Sequence, residues 1–378
     1  MRGMEFFATA AKGTEPALRD ELRELRFSGV RADRGGVHFS GSFEDGWRAC
    51  LYSRVAVRVL AWRGTFEAKT GDELYEGIAA LEWRHFLTAK HTLAVRASCR
   101  SSQLTHSQFV AQRTKDAIVD QLRDTLGARP SVNIASPDLL VVVHLVKDQA
   151  DVYLDLAGDS LHLRGYRTRV GAAPLKETLA AAMLRLSGWD REQPLCDPMC
   201  GAGTIAIEAA AWARAIPPGL AREKFGFERW AHFDSAMASR LAELRAEGRA
   251  AIRPPPRGAP TVVASDHDPA MVERTRANAR DAGIDLIVEQ RDVRRIGQVV
   301  SAPTPGFIVT NPPYGERLEA GGDFFAEMAA ALSGLRDHTV GVLAGTPEIE
   351  RSFAAKPAKW WILYNGPIEC RFLVYRNP

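Results

Sequence analysis

The spacing of apolar and polar residues changes character near residue 165. Before that point, short alternating or wholly apolar runs predict β-strands, namely "EFFATA", "GVHFSG", "RVLAWRGTF", "TLAVRASC" and "LLVVVHLVKDQADVYLDL". Amphipathic segments between these strands predict helices at 14–26, 72–80 and 107–126. The first part of the chain is therefore expected to be an α+β structure.

After residue 165 the pattern becomes a repeat of strand, glycine turn and helix, which is typical of a doubly wound α/β fold. It predicts seven strands, at 194–197, 261–265, 285–290, 306–310, 339–345, 359–364 and 368–375. The last two form a hairpin, which we expect to place one antiparallel strand at the edge of a mostly parallel sheet. An insertion at about 213–260 carries a helix of its own at 234–248.

Composition narrows the class of protein. The 378 residues, 46% hydrophobic and 25% charged, are typical of a globular protein with two or three domains. No apolar run approaches the roughly 20 residues that span a bilayer, and no signal-peptide pattern opens the chain, which favours a cytoplasmic protein. Five scattered cysteines without a CxxC pair indicate reduced thiols and no metal site. The net charge of +3 permits a nucleic-acid partner without requiring one.

The string "PLCDPMCGAGTIAIEAA" predicts a strand, an acid, a glycine turn and a helix. Gly201 and Gly203 let a ligand approach backbone amides, because no Cβ stands in the way. Together with Ala206 they also satisfy the dinucleotide fingerprint, but Asp197 would repel a pyrophosphate there. A cationic ammonium and sulfonium would instead be attracted, which favours S-adenosylmethionine over a nicotinamide cofactor or a plain helix-entry turn.

Two further acids end the next predicted strands. Asp266 can accept both hydroxyls of a ribose, although it lies 63 residues after Gly203 rather than roughly 20, an excess that the insertion explains. Asp268 is better placed to cap the following helix. Asp292 can accept from an adenine amine or serve as an ordinary turn residue. As the third acid in the series, it favours the ligand interpretation.

The fourth strand ends in "FIVTNPPYGERL". An exocyclic amine is a poor nucleophile, and the Asn311 amide oxygen with the Pro312 carbonyl could accept its two N–H bonds. Pro312 and Pro313 hold that backbone rigid, and Tyr314 offers a face on which a planar base can stack. The alternative, a strand stop followed by a turn aromatic, is disfavoured by the neighbouring cofactor loop. The motif therefore predicts methyl transfer to a planar nitrogen.

The chain resembles the class I N-methyltransferases and, among them, the THUMP-domain RNA methyltransferases. The motifs that carry the resemblance are "SSQLTHSQFVAQRTKDAIVDQLRD", "LHLRGYR", "APLKETLAAAMLRLSGW", "DPMCGAGTIAIEAA" and "NPPYGERL". Within that group it is most similar to bacterial large-subunit ribosomal RNA guanine-N2 methyltransferases. The resemblance implies a ferredoxin-like segment at 1–50, a THUMP RNA-binding domain at 51–157, a linker at 158–174, and a Rossmann-like methyltransferase domain at 175–378.

The same resemblance implies the function and the site. The expected activity is methylation of guanine N2 by S-adenosylmethionine in structured RNA, either 23S ribosomal RNA or its precursor, or transfer RNA. Because the chain ends at Pro378, we expect one modification rather than two. The implied cofactor residues are Asp197, Pro198, Cys200, Gly201, Gly203, Asp266, His267, Asp292 and Val293. The implied base site is Asn311, Pro312, Pro313 and Tyr314.

RNA contacts are expected from basic residues of the N-terminal half and the linker, through phosphate rather than base recognition. The candidates are Arg96, Arg100, Arg113, Lys115, Arg164, Arg167 and Arg169, each of which could equally be a solvated charge. Other interpretations stay open: a DNA adenine-N6 or protein glutamine methyltransferase, or a non-catalytic RNA-binding or ribosome assembly factor.

Overall fold

The structure, a computed structural model, describes residues 3–166, 175–254, 262–298, 305–314 and 323–377. Part of the expected linker, with Arg167 and Arg169, lies outside these ranges. The chain divides into two compact units. The N-terminal unit comprises Met1–Thr9, Leu22–Leu161 and Arg222–Glu247, and the C-terminal unit comprises Ala10–Glu21, His162–Ala221 and Gly248–Pro378.

The N-terminal unit is built on one sheet, in which the described residues form eight strands. Their order across the sheet is β2-β3-β1-β4-β8-β7-β5-β6. Strands of the expected ferredoxin-like and THUMP segments are therefore joined in one sheet. The bounds are β1 Met4–Thr9, β2 Ser28–Asp33, β3 Gly36–Gly41, β4 Arg58–Glu67, β5 Thr92–Arg100, β6 Ser131–Val132, β7 Leu139–Val146 and β8 Gln149–Asp155.

Helices with clear start signals accompany this sheet. Capping boxes begin two of them, Ser42 with Asp45 and Thr70 with Glu73, so the first backbone N–H groups of each helix are satisfied. The expected segments 72–80 and 107–126 match the observed helices to within one residue. The bounds are α1 Glu15–Glu24, which begins in the C-terminal unit, α2 Phe43–Tyr52, α3 Gly71–Ala79 and α4 Ser107–Leu126.

The C-terminal unit contains the expected seven-stranded, mostly parallel sheet. Its order is β11-β10-β9-β12-β13-β15-β14. β15 is antiparallel to both of its neighbours, β13 and β14. The antiparallel strand thus lies between β13 and β14 rather than at the edge, because the final hairpin folds its second strand inward. The bounds are β9 Leu195–Asp197, β10 Val262–Asp266, β11 Ile287–Gln290, β12 Phe307–Thr310, β13 Thr339–Ala344, β14 Lys359–Asn365 and β15 Ile368–Arg376.

Helices connect the strands of this sheet, and the apolar sides of all of them except Ser235–Ala250 fill one core with the strands. The helix after β10 begins where Asp268 accepts from the Ala270 N–H at 2.8 Å, with Pro269 in its first turn. The capping role expected of Asp268 is confirmed. The bounds are α5 Glu177–Leu186, α6 Thr204–Ala213, α7 Ser235–Ala250, α8 Pro269–Asp281, α9 Phe324–Ser333 and α10 Pro347–Arg351.

The expected insertion at 213–260 is divided between the units. Its segment Arg222–Glu247 belongs to the N-terminal unit, where the Phe227 ring stacks on Trp47 with centroids 5.2 Å apart. Arg240 on α7 binds both carboxylate oxygens of Glu44, at 2.8 and 3.0 Å. This segment is therefore packed as part of the N-terminal unit. Among the described helices, none is long and apolar enough to cross a membrane.

Candidate active site

Polar side chains meet at the carboxyl edge of the C-terminal sheet. Asp197 ends β9, Asp266 ends β10 and Asn311 follows β12, and both β10 and β12 pair in parallel with β9. The carboxyl ends of adjacent parallel strands form the crevice in which open α/β sheets bind ligands. The structure thus brings together the ends of these three strands, as the sequence pattern predicts.

The two glycines of the loop after β9 have different surroundings. Gly201 has φ +53°, and a Cβ built there would meet no atom within 4 Å, so its open side can receive a ligand. Gly203 has φ +84°, but its missing Cβ would lie 2.7 Å from Cγ2 of Thr275. Its small size therefore admits α8 to the loop, rather than the ligand that the sequence pattern suggested.

The Asp266 side chain accepts hydrogen bonds from two backbone N–H groups. Its Oδ2 accepts from the Gly201 N–H at 2.9 Å and its Oδ1 accepts from the Asp268 N–H at 3.0 Å. The exposed His267 ring places Nδ1 3.3 Å from the same Oδ1. A carboxylate offers about four acceptor positions, so Asp266 retains capacity for hydroxyl donors. The same hydrogen bonds also fix the orientation of the Asp266 carboxylate.

Asp197 is 1% exposed and has few partners of its own. Its Oδ1 accepts from the Thr310 hydroxyl at 2.9 Å and from the Met199 N–H at 3.4 Å. Burial raises the pKa of Asp197 to about 7, since these two bonds only partly offset the loss of water, and the nearby Asp266 adds repulsion. A cation beside this carboxylate would stabilise its charged form.

Three residues predicted to bind the cofactor have buried side chains. Pro198, Cys200 and Val293 can thus present little more than backbone to a ligand. Burial raises the pKa of the Cys200 thiol well above its ordinary value, and its Sγ lies 3.5 Å from the Thr275 hydroxyl. The thiol is a packing group, not a nucleophile.

Asp292 lies beyond the end of β11, at an open depression of about 530 Å³. Arg294 donates from Nε to both of its carboxylate oxygens, at 3.0 and 2.9 Å, and lowers the pKa of Asp292. Much of its acceptor capacity is therefore already used. The depression is lined by His267, Gln290, Arg291, Asp292, Arg294 and Arg295.

The side-chain oxygen of Asn311 bears most directly on what the site can bind. Its Oδ1 is buried, and no described residue donates a hydrogen bond to it. A buried carbonyl without a donor costs roughly 1–3 kcal/mol, so such atoms are uncommon and call for an explanation. An oxygen fixed in this state beside the cofactor loop is suited to receive an N–H donor from a ligand.

Tyr314 differs from the expectation of an open stacking platform. The side chain is 8% exposed, and its ring lies against Gly345, where a Cβ would come within 2.4 Å of two ring carbons. Its hydroxyl accepts from Nδ2 of Asn365 at 2.8 Å. In this arrangement the ring is packed into the core, so stacking on a base requires that the ring be uncovered.

The candidate RNA contacts of the N-terminal unit divide into two kinds. Arg96 and Arg100 are exposed and project from the same face of β5. Arg113 instead ties α4 to α3 by bonds to the Gly71 carbonyl at 3.0 Å and Asp72 at 2.7 Å, and Lys115 pairs with the adjacent Asp116. Of these four candidates, Arg96 and Arg100 form no ion pair with a described residue and are therefore better placed to bind a phosphate.

The structure corrects the prediction made for Arg164. It was expected to contact RNA, but its side chain is 5% exposed and its Nε lies 3.4 Å from Glu208. The Tyr166 hydroxyl donates to the same carboxylate at 3.3 Å. A buried, paired guanidinium is unavailable to a phosphate. Arg164 therefore makes its contact within the C-terminal unit instead.

Comparison with known proteins places this site in a family. Residues 164–373 match the family described as RMKL-like, methyltransferase domain. The chain belongs to this family. Residues 5–60 match the RlmL ferredoxin-like domain and residues 68–155 match the THUMP domain. The family and fold class expected from the sequence are thereby confirmed.

Relatives match this chain along nearly its whole length. "Ribosomal RNA large subunit methyltransferase K/L" of Syntrophotalea carbinolica is 42% identical over 98% of the chain. That match covers 53% of the relative, so the chain spans about half the length of the curated protein. A crystal structure assigned as a methyltransferase and complexed with SAH is 32% identical, with a TM-score of 0.87 over 100% of this chain and 99% of that one.

A second structural relative carries a different substrate in its name. It is a Listeria monocytogenes protein assigned as an N6-adenine-specific DNA methylase, 30% identical, with a TM-score of 0.86 over 100% of this chain and 97% of that one.

Sequence reasoning missed three residues that contact Asp197 or Tyr314, namely Thr310, Gly345 and Asn365. Thr310 adjoins "NPPY" and could have been noticed, whereas the other two meet Tyr314 only through the fold.

Proposed function

We propose that this chain transfers the methyl group of S-adenosylmethionine to the N2 atom of a guanine in RNA, specifically 23S ribosomal RNA. The observation that carries the proposal is the buried Oδ1 of Asn311 after β12, which receives no hydrogen bond from any described residue. Its position next to β9 puts it beside the proposed cofactor site. The family match supports the class of reaction.

The chain's own groups fit the cofactor. The Asp197 carboxylate, whose pKa burial raises to about 7, would gain its charge beside the ligand's ammonium. Asp266, held by the Gly201 and Asp268 amides, would accept the ribose hydroxyls. Gly201 leaves space for backbone approach, and Asp292 remains the proposed acceptor for the adenine amine. When bound, S-adenosylmethionine supplies an electrophilic methyl group on a sulfonium.

At the base site, Asn311 and Pro312 supply positioning rather than strong basicity. The guanine N2 lone pair is delocalised into the ring, and two acceptors aimed at its N–H bonds favour a pyramidal nitrogen whose lone pair faces the methyl. Both oxygens are neutral, so they orient the amine. As the new N–C bond forms, the bond between the methyl group and sulfur would break, leaving the thioether S-adenosylhomocysteine, and the amine's proton then passes to solvent. Pro313 stiffens the loop.

RNA as the substrate class rests on the N-terminal unit and the relatives. The THUMP match and the ribosomal RNA named for the Syntrophotalea protein favour it, and Arg96 with Arg100 offers exposed charge for phosphates.

We also propose that the chain is divided into a ferredoxin-like segment at 1–50, a THUMP domain at 51–157, a linker at 158–174 and a methyltransferase domain at 175–378. Action on ribosomal RNA would place the protein in the cytoplasm.

Alternative substrates make different predictions. The name of the Listeria relative favours adenine N6 in DNA as a second candidate, since the same amide would accept from that amine. A transfer RNA guanine is the alternative within the family. A non-catalytic RNA-binding or assembly role would leave RNA binding without any methylated product.

Asn311→Ala tests the proposed role directly. We expect methyl transfer to fall about 10²–10³-fold, as when an active-site donor or acceptor is removed, because the amine loses an acceptor needed in the transition state. The dissociation constant for S-adenosylhomocysteine should stay within about twofold of the wild-type value, since Asn311 does not hold the cofactor. Calorimetry and tritium transfer to ribosomal RNA measure the two.

The half-buried Asn133 of the N-terminal unit, whose Oδ1 accepts from the Ala135 and Ser136 N–H groups, provides a control, and Asn133→Ala should leave both quantities unchanged. Equal losses of cofactor affinity and transfer in Asn311→Ala would contradict the role assigned to this amide. Wild-type transfer by Asn311→Ala would do so as well.

A further inference from the structure

Two side chains of α8 reach back to the glycine loop after β9. The Thr275 hydroxyl donates to the Gly201 carbonyl at 2.8 Å, and Nδ2 of Asn278 donates to the Ala202 carbonyl at 2.9 Å. Both residues are 0% exposed, and their i, i+3 spacing puts them on one face of the helix. Consecutive carbonyls of the loop are therefore held by a single helix.

These bonds set the direction of the loop's peptide groups. In a planar trans peptide, the C=O of one residue and the N–H of the next point in opposite directions. With the Gly201 carbonyl turned toward Thr275, the N–H of Ala202 is turned away from α8, and no described residue accepts a hydrogen bond from it. The open space beside Gly201 lies at the same loop.

Packing reinforces the hydrogen bonds. The Thr275 methyl group occupies the space that a Cβ on Gly203 would need, at 2.7 Å. Asn278 leaves its Oδ1 buried without a donor among the described residues, which costs folding free energy. Stability alone therefore does not explain an amide at this position.

We propose that Thr275 and Asn278 are positioning residues that clamp the glycine loop in the form that binds the cofactor. The inference rests on the proposed function, because the loop is taken as the S-adenosylmethionine site. Each residue acts through a carbonyl of the loop and does not touch the reacting atoms. The clamp holds the loop with the Ala202 N–H, which has no acceptor among the described residues, turned away from α8 before the ligand arrives, and this lowers the ordering cost of binding.

Thr275→Val and Thr275→Ser separate this role from packing. Valine keeps the shape and the methyl group but removes the donor, whereas serine keeps the donor. We expect Thr275→Val to raise the dissociation constant for S-adenosylhomocysteine and the KM for S-adenosylmethionine about tenfold. The kcat at saturating cofactor and the KM for RNA should be unchanged, and Thr275→Ser should stay within about twofold of wild type.

Thr114→Val is the matched control. Thr114 is also a fully buried helical threonine, and its hydroxyl has no partner among the described residues. This variant should bind S-adenosylhomocysteine as the wild type does. If the control and Thr275→Val lost equal affinity, or if Thr275→Val bound normally, the clamp would be refuted.

Amide hydrogen exchange of the ligand-free protein tests the clamp without the cofactor. In Thr275→Val and in Asn278→Leu, exchange should accelerate at residues 201–204, while the rest of the C-terminal unit keeps wild-type rates. Unchanged exchange at the loop would overturn the inference. Failure of the wild type to bind S-adenosylhomocysteine would instead refute the proposed cofactor, and the exchange result would still decide the clamp.

Discussion

Cofactor binding should depend on pH through Asp197. Burial raises the pKa of this carboxyl group to about 7 in the free protein, and among the described residues Thr310 and Met199 donate to it. An ammonium placed beside it stabilises the charged form, so the pKa in the complex is lower than in the free protein. Affinity is therefore highest above pH 7, and it falls as Asp197 takes up a proton below that value.

The size of the effect follows from the free-state pKa. At pH 8 the group is almost fully ionised and at pH 6 about one-tenth ionised, so the affinity for S-adenosylhomocysteine should weaken about tenfold between these values. At pH 7 binding should release about half a proton. Isothermal titration calorimetry in two buffers of different ionisation enthalpy measures both quantities. Equal affinity at pH 6 and pH 8 would refute the reasoning.

Asp197→Asn provides the control. The variant should bind weakly, without a pH dependence between pH 6 and 8, because the amide cannot acquire the charge. We expect the Asp197→Asn substitution not to destabilise the folded protein. A carboxyl group whose pKa is higher when folded than the ordinary 3.8 makes the wild type lose stability as pH rises from about 4 to 7, so Asp197→Asn should melt higher than wild type at pH 8.

Three further changes test other parts of the site. Asp266→Ala should weaken S-adenosylhomocysteine binding at every pH, and unchanged affinity in calorimetry would contradict the ribose assignment. Gly345→Ala puts a Cβ 2.4 Å from the Tyr314 ring and should cost about 1–3 kcal/mol in thermal unfolding. That variant should also lose RNA methylation but keep cofactor affinity, whereas normal methylation would show that the ring's position is immaterial. Arg96→Ala with Arg100→Ala should lower RNA affinity and reduce the salt slope by about 1–2 in filter binding, unlike the exposed Arg34→Ala.

Local patterns in the sequence were sufficient to place most elements. The strands that end at Asp197, Asp266 and Thr310 appear within one residue of the expected ends, since apolar runs closed by an acid or a proline leave little freedom. Because these strand ends could be predicted, the cluster of polar side chains at the carboxyl edge of the sheet could be predicted as well.

Features that depend on distant contacts were missed. Tyr314 looked like a free platform because nothing near it in sequence reveals the space above Gly345 or the bond from Asn365. Arg164 looked like a surface charge because Glu208 is 44 residues away. Similarly, the placement of Arg222–Glu247 in the N-terminal unit depends on an aromatic partner, Trp47.

The identity of the methylated nucleoside tests the central claim most directly. Unmodified 23S ribosomal RNA, transfer RNA and DNA would be incubated separately with the chain and labelled S-adenosylmethionine, then digested and analysed by nucleoside mass spectrometry. The account predicts N2-methylguanosine from 23S ribosomal RNA with the wild type and none with Asn311→Ala. N6-methyladenine as the product, or no product from any nucleic acid, would contradict it.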